Sequence, residues 1–218
     1  MPIQHNEKQV LRIENITVNV EINNENNLAE SYFLIIFDVL LLIAAVFITV
    51  SLIYNTVKLG ISPMPSSKNA TKAMMKLVDE TGTGAIIDLG SGWGNFVIPM
   101  ARRNPQRQII GYELSLLPWL SSTLLKKVFG LKNLTLYRQN FLNANLPTAA
   151  VLVCYLYPMA MDRIKRKLVL ERPKIDYIIS NNFALPSCQA IKVIPLDDFY
   201  KSPIYFYKID QRELEPHH

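Results

Sequence analysis

The chain has 218 residues, half of them hydrophobic, with a formal net charge of +5 and a pI near 9.1. That length holds one globular domain and a little more, and the basic balance favours anionic partners, nucleic acid or a lipid surface, without choosing between them. Its two cysteines, Cys154 and Cys188, show neither CxxC nor Cys/His spacing, so neither a disulfide framework nor a zinc site is indicated and two buried free thiols are expected.

Residues 1–31 form a polar, Asn-rich leader in which only residues 16–22 alternate as a short strand would. No function follows from it. The next segment, residues 32–57, opens with "YFLIIFDVLLLIAAVFITVSLIY" (32–54), in which Asp38 is the sole charge. As a helix this run is roughly 34 Å long, enough for a hydrocarbon core of about 30 Å. Its sixteen Leu, Ile, Val and Phe favour insertion by about 5–10 kcal/mol against at most about 3 kcal/mol for Asp38. It is apolar all round, which predicts a transmembrane helix, where a buried soluble helix would be the alternative. The acid-containing leader argues against a cleaved signal peptide and a transit peptide. Lys58, Lys68, Lys72 and Lys76 follow the span closely, whereas Lys8 and Arg12 lie farther away on the other side. The positive flank places residues 58–218 on the cytoplasmic side of a single-pass membrane protein.

After a Pro/Ser linker ("GISPMPSSKNA"), Ser66 or Ser67 is placed to cap a helix through "KNATKAMMKLVDE". Apolar and helical runs then alternate: strand "AIIDLG", helix "GNFVIPMARR", strand "QIIGYEL", helix "LPWLSSTLLKKVFG", strand "LTLYRQN", strand "AAVLVCYLY", helix "PMAMDRIKRKLVLE" and strand "IDYIISNNF". This order predicts an α/β fold, a doubly wound, mostly parallel sheet with helices on both faces. The tail "QAIKVIPLDDFYKSPIYFYKID" has two strand-like runs and no helix between them, which predicts an antiparallel hairpin at one sheet edge.

The stretch "IIDLGSGWGN" (86–95) is a strand, a glycine turn and a helix start, a place where such sheets hold small ligands. A dinucleotide prefers G-x-G-x-x-G, but the third position here is Asn95. Asp88 would also oppose the two phosphate charges. S-adenosylmethionine lacks phosphate and carries an ammonium and a sulfonium, so Asp88 becomes an attraction. Gly90, Ser91, Gly92 and Gly94 then form the turn, with Gly90 and Gly92 admitting close backbone approach and free amides at the helix start meeting the methionine carboxylate. Glu113 ends the second strand, where an acid accepts both ribose hydroxyls.

On these residues the domain resembles the class I S-adenosylmethionine-dependent methyltransferases, with a Rossmann-like sheet: "IIDLGSGWGN" matches their first motif, "IIGYE" their second, and "LTLYRQNF" the segment near adenine. The likeness covers about residues 63–210. A narrower similarity, resting on the membrane segment, the proline-containing linker and "GYELSLLPWL" with Trp119, is to the small membrane-associated lysine methyltransferases of adenine nucleotide translocase and the ATP synthase c subunit and their prokaryotic relatives. The chain departs from these patterns at Asn140, where an acid often faces the adenine amino group, and at Trp93 and Asn95, where the narrower family tends to carry aspartate and arginine. The linker also lacks an aromatic residue that relatives often have.

The resemblance implies a membrane-anchored methyltransferase with S-adenosylmethionine as cofactor, no metal, the bilayer as partner through residues 32–54, and a protein lysine as acceptor. Tyr155, Tyr157 and Pro158, at the end of "AAVLVCYLYP", are candidates for the acceptor wall. A small-molecule, lipid or RNA acceptor stays open, as does an inactive membrane-tethered binding module. A DNA substrate is disfavoured, because "YLYP" stands where amino-directed DNA enzymes carry an Asn/Asp-Pro-Pro-aromatic turn and no Pro-Cys nucleophile occurs. The basic run "DRIKRKLVLERPK" reads as a solvated or lipid-facing helix surface.

Overall fold

A computed structural model describes residues 28, 30–50, 66–198 and 201–210. The leader with its alternating patch, Lys58 and most of the Pro/Ser linker lie outside the described residues. The chain divides into two units, Met1–Tyr54 and Asn55–His218.

In the first unit, helix α1 (Glu30–Val50) has 21 residues, none buried. At about 1.5 Å per residue it is close to 31 Å long, long and apolar enough to cross a membrane. The sequence expectation extends to residue 54, but residues 51–54 lie outside the described set.

The second unit opens with α2 (Lys68–Asp79). Of the two candidate caps, Ser67 takes the role, its hydroxyl accepting from the Ala70 amide at 3.1 Å. Next come β1 (Ile86–Leu89), α3 (Val97–Arg103), β2 (Ile109–Tyr112), α4 (Leu116–Val128), β3 (Leu134–Tyr137) and a 3₁₀ turn (Phe141–Asn143). They are followed by β4 (Ala149–Cys154), α5 (Pro158–Glu171), β5 (Ile175–Asn181), β6 (Lys192–Pro195) and β7 (Pro203–Lys208). The sheet order is β3-β2-β1-β4-β5-β7-β6. Strands β1 to β5 pair in parallel, and β7 runs antiparallel to both β5 and β6. The expected hairpin is therefore present, with its second strand on the inside.

Alternation along each strand builds two cores. Ile86, Val151, Val153 and Ile179 face Met74, Val78, Val97 and Met100 of α2 and α3. Ile87, Leu89, Leu152 and Ile178 face Met161, Ile164 and Leu168 of α5. Central strands covered on both faces need continuous apolar runs, and β4 (AAVLVC) is buried throughout. It stops at Cys154, opposite Leu89 and Ser180, so Tyr155 and Tyr157 leave the sheet. Cys154 is a buried free thiol, as expected, but Cys188 is only half-buried.

At the amino-terminal edge of the sheet two side chains each gather several acceptors. The buried Arg107 donates to Gly84 O at 2.7 Å, Val78 O at 3.1 Å and Thr81 Oγ1 at 3.3 Å. Asn133 Nδ2 donates to the carbonyls of Ala101, Asn104 and Arg107 at 2.9–3.1 Å. These two side chains terminate α2 and α3 where their last carbonyls lack intrahelical donors.

Candidate active site

Strand order reverses between β1 and β4, and such a reversal opens a crevice at the carboxyl ends of the strands. A cavity of about 410 Å³ lies there. Asp88, Gly90, Ser91, Gly92, Glu113 and Asn140 all line it, as do Tyr155 and Tyr157. Gly94 and Pro158 do not.

Gly94 has another reason to be glycine. Its φ is +86°, and a Cβ there would lie 2.9 Å from Ile98 Cγ1 and 3.1 Å from Ser122 Cβ. It lets α4 sit against the start of α3, a packing role. Pro158 is the first residue of α5, where its missing N–H costs nothing.

The turn itself is tied to β2. The amides of Gly90 and Ser91 both donate to Tyr112 O at 2.9 Å, and Gly94 N donates to Ser91 O. Gly92, at φ +52°, points its amide at Glu113 Oε2 at 2.9 Å, while Ser115 N reaches Oε1 at 2.6 Å. Glu113 is thus fixed by two backbone donors and keeps lone pairs free for hydroxyls. Because the loop uses four of its own amides, those of Trp93, Asn95 and Phe96 are the ones left for a carboxylate.

Asp88 occupies the last but one position of β1, between Gly111 and Val153. It is buried and makes no hydrogen bond among the described residues. Burial, with the charge of Glu113 adding to it, pushes its carboxyl from 3.8 up to about 8. Ser91 Oγ is likewise buried without a partner. An isolated buried acid and an orphaned hydroxyl on one cavity wall call for a ligand that supplies a cation and a hydrogen-bonding group. S-adenosylmethionine, with its ammonium, ribose hydroxyls and carboxylate, is a ligand of that chemistry.

Asn140 lies at the cavity, but its Oδ1 accepts from Leu142 N at 3.0 Å, capping the 3₁₀ turn. One lone pair remains for an adenine amino group. Trp119 lies outside the cavity lining, its indole N–H directed at Leu136 O.

Several lining residues were not singled out from sequence. Leu114, Phe141 and Leu142 provide apolar surface at the ends of β2 and β3, suited to a purine. Phe183, after β5, stacks on Tyr155 with centroids 6.3 Å apart. Arg163 of α5 also reaches the cavity. Lys167, part of the basic run read as a surface, is buried and donates to Leu142 O at 3.1 Å while pairing with Glu171. The run gave no sign of this, since lysine is rarely buried unless paired. Cys154 lines the cavity as an unreactive thiol, its pKa pushed by burial up to about 12.

The sequence family described as "ANTKMT methyltransferase domain" matches residues 88–192, which include every cavity residue except Ser66 and Met74. An RNA methyltransferase from Salinibacter ruber, solved with S-adenosyl-L-homocysteine, is similar over 67% of this chain and 94% of that one, at 20% identity and a TM-score of 0.58. A magnesium protoporphyrin IX methyltransferase from Synechocystis PCC 6803 with bound SAM covers 62% of this chain and 74% of its own, at 16% identity and a TM-score of 0.48. No curated protein matches the sequence.

Proposed function

We propose that the chain is a class I S-adenosylmethionine-dependent methyltransferase, a reading that the family match over residues 88–192 supports, and that it methylates a protein lysine while tethered to a membrane by α1, with its catalytic domain on the cytoplasmic side. The observation that carries the acceptor assignment is the aromatic wall of Tyr155, Tyr157 and Phe183. In the sheet order β2-β1-β4, Glu113 and these aromatics flank β1 on opposite sides, about 10 Å apart at the usual strand spacing. Cofactor and acceptor thus enter one cavity from two directions.

The cofactor supplies an electrophilic methyl group on a sulfonium. The protein's task is to align a nucleophile with it and to exclude water. Asp88 holds the ammonium end and Glu113 the ribose. Loss of water around an acceptor amine in the apolar part of this cavity disfavours its charged form, so its lone pair becomes available for attack. The stem of a lysine also packs well on such rings. The family name, ANTKMT methyltransferase domain, supports the same reading, and α1 supports the tether through residues 32–54. Arg163 at the cavity favours the second reading, an anionic acceptor such as a lipid or RNA.

The test is to incubate the full chain and tritiated S-adenosylmethionine with a membrane extract. Label in a protein band, with methylated lysine by mass spectrometry, is expected. Label in the lipid or RNA fraction overturns the lysine assignment, and no calorimetric binding at millimolar cofactor makes the domain an inactive binding module.

A further inference from the structure

Helix α4 buries Pro118 and Ser122 and packs Leu125 on the core. Its other face is not polar. Leu120, Leu124 and Val128, spaced one turn apart, are 46%, 63% and 68% exposed, and Phe129 beyond them is 45% exposed. An ordinary surface helix turns charged side chains to water on this face. No acid occurs anywhere in α4, whose last turn carries Lys126 and Lys127. The Arg102 guanidinium lies 5.0 Å above the Phe129 ring, and a shallow groove of about 610 Å³ beside it is lined by Arg102, Lys132 and Asn133. Arg102, Lys126, Lys127 and Lys132 have no carboxylate partner among the described residues.

We propose that this face of α4, with the groove at its carboxyl end, is a membrane-contact surface that lies in the headgroup plane of an anionic bilayer. Leu120, Leu124, Val128 and Phe129 enter the acyl boundary, and the four cations meet lipid phosphates. Charge selects this occupant. A second copy docked on the same face would bring lysines and arginines to a helix without an acid to pair them, whereas anionic headgroups complement both the cations and the apolar stripe. The choice of a bilayer also rests on reading α1 as a membrane anchor, since a tether raises the effective concentration of the surface.

The experiment uses the full chain in nanodiscs of phosphatidylcholine alone or with phosphatidylglycerol, carrying a nitroxide at Leu124→Cys in a Cys188→Ser background. In anionic discs the label is expected to be shielded from a water-soluble relaxing agent, and K127E/K132E should raise its collision rate at least threefold. Cofactor affinity unchanged in that variant shows that the fold is intact. A label equally open to water in both lipids overturns the proposal, as does a short label-to-label distance marking a dimer. Alkaline carbonate extraction tests α1 separately. If the chain washes off, the anchor reading fails, and sedimentation of the same labelled chain with anionic vesicles still decides the α4 surface.

Discussion

Both ends of the sheet bury polar side chains, and they differ in how far those side chains are paired. At the amino-terminal edge Arg107 and Asn133 donate to the carbonyls of Val78, Gly84, Ala101, Asn104 and Arg107. At the carboxyl edge Asp88 has no hydrogen bond among the described residues, and Ser91 Oγ is orphaned. A buried polar group that is paired contributes to folding, and one left unpaired costs stability until something binds it. The cavity at the carboxyl edge is recognisable because the fold leaves its polar groups unpaired.

The largest expected effect breaks the satisfied end. Arg107→Ala removes three hydrogen bonds and takes from Gly84 O its side-chain donor, while Val78 O keeps the Thr81 amide and hydroxyl, costing about 3–4 kcal/mol of stability in denaturant unfolding. Cofactor affinity in the fraction that remains folded should change less than threefold. The reverse pattern is expected at the other end, where Asp88→Asn lowers S-adenosylmethionine affinity about 100-fold, equivalent to about 2.7 kcal/mol, without loss of stability at pH 8. If both variants lose stability alike, the contrast fails.

The pH dependence sharpens it. With Asp88 raised to about 8, the folded chain retains a proton that the unfolded chain has released. That contribution to stability is complete below 3.8 and is lost as pH rises through about 8. A bound cation favours the ionised carboxyl, so cofactor affinity should rise with pH up to about 8, and calorimetry in buffers of different ionisation enthalpy should show proton release. Asp88→Asn should flatten both slopes.

Gly94→Ala is a smaller perturbation of packing, costing about 2 kcal/mol from its positive φ and the crowding of Ser122, read as a lower Tm. Smallest is Asn140→Asp, which should tighten cofactor binding a few-fold, or about 1 kcal/mol. Unchanged binding would mean that capping Leu142 N is the sole task of this side chain.

Elements whose limits are set locally were legible in the sequence. Helix α5 spans the predicted residues because Pro158 starts it and Arg172, in the left-handed conformation, stops it. Limits set by neighbours were not. The third strand–helix unit gave β4 through residue 157, yet β4 ends where Leu89 and Ser180 end. Helix α3 starts at Val97 instead of Gly94, since φ +86° there is not helical. The gathering of Asp88, Glu113 and the turn at one cavity was legible because all lie at the carboxyl ends of adjacent strands. The contact of Gly94 with Ser122, the capping by Asn140 and the burial of Lys167 each depend on a distant segment, and no local pattern encodes them. The outward leucines of α4 were hidden for the opposite reason, since that helix has apolar residues on every side.

Strand β7 lies between β5 and β6 although both precede it in the chain. During synthesis, β6 therefore has no ladder to join until residues 203–208 have left the ribosome. The flank of β5 also stays open, with its backbone groups exposed as a template for other chains. The sheet closes late, when β7 pairs with β5 and brings β6 in on its outer side, and a chain halted before that point would keep a sticky edge.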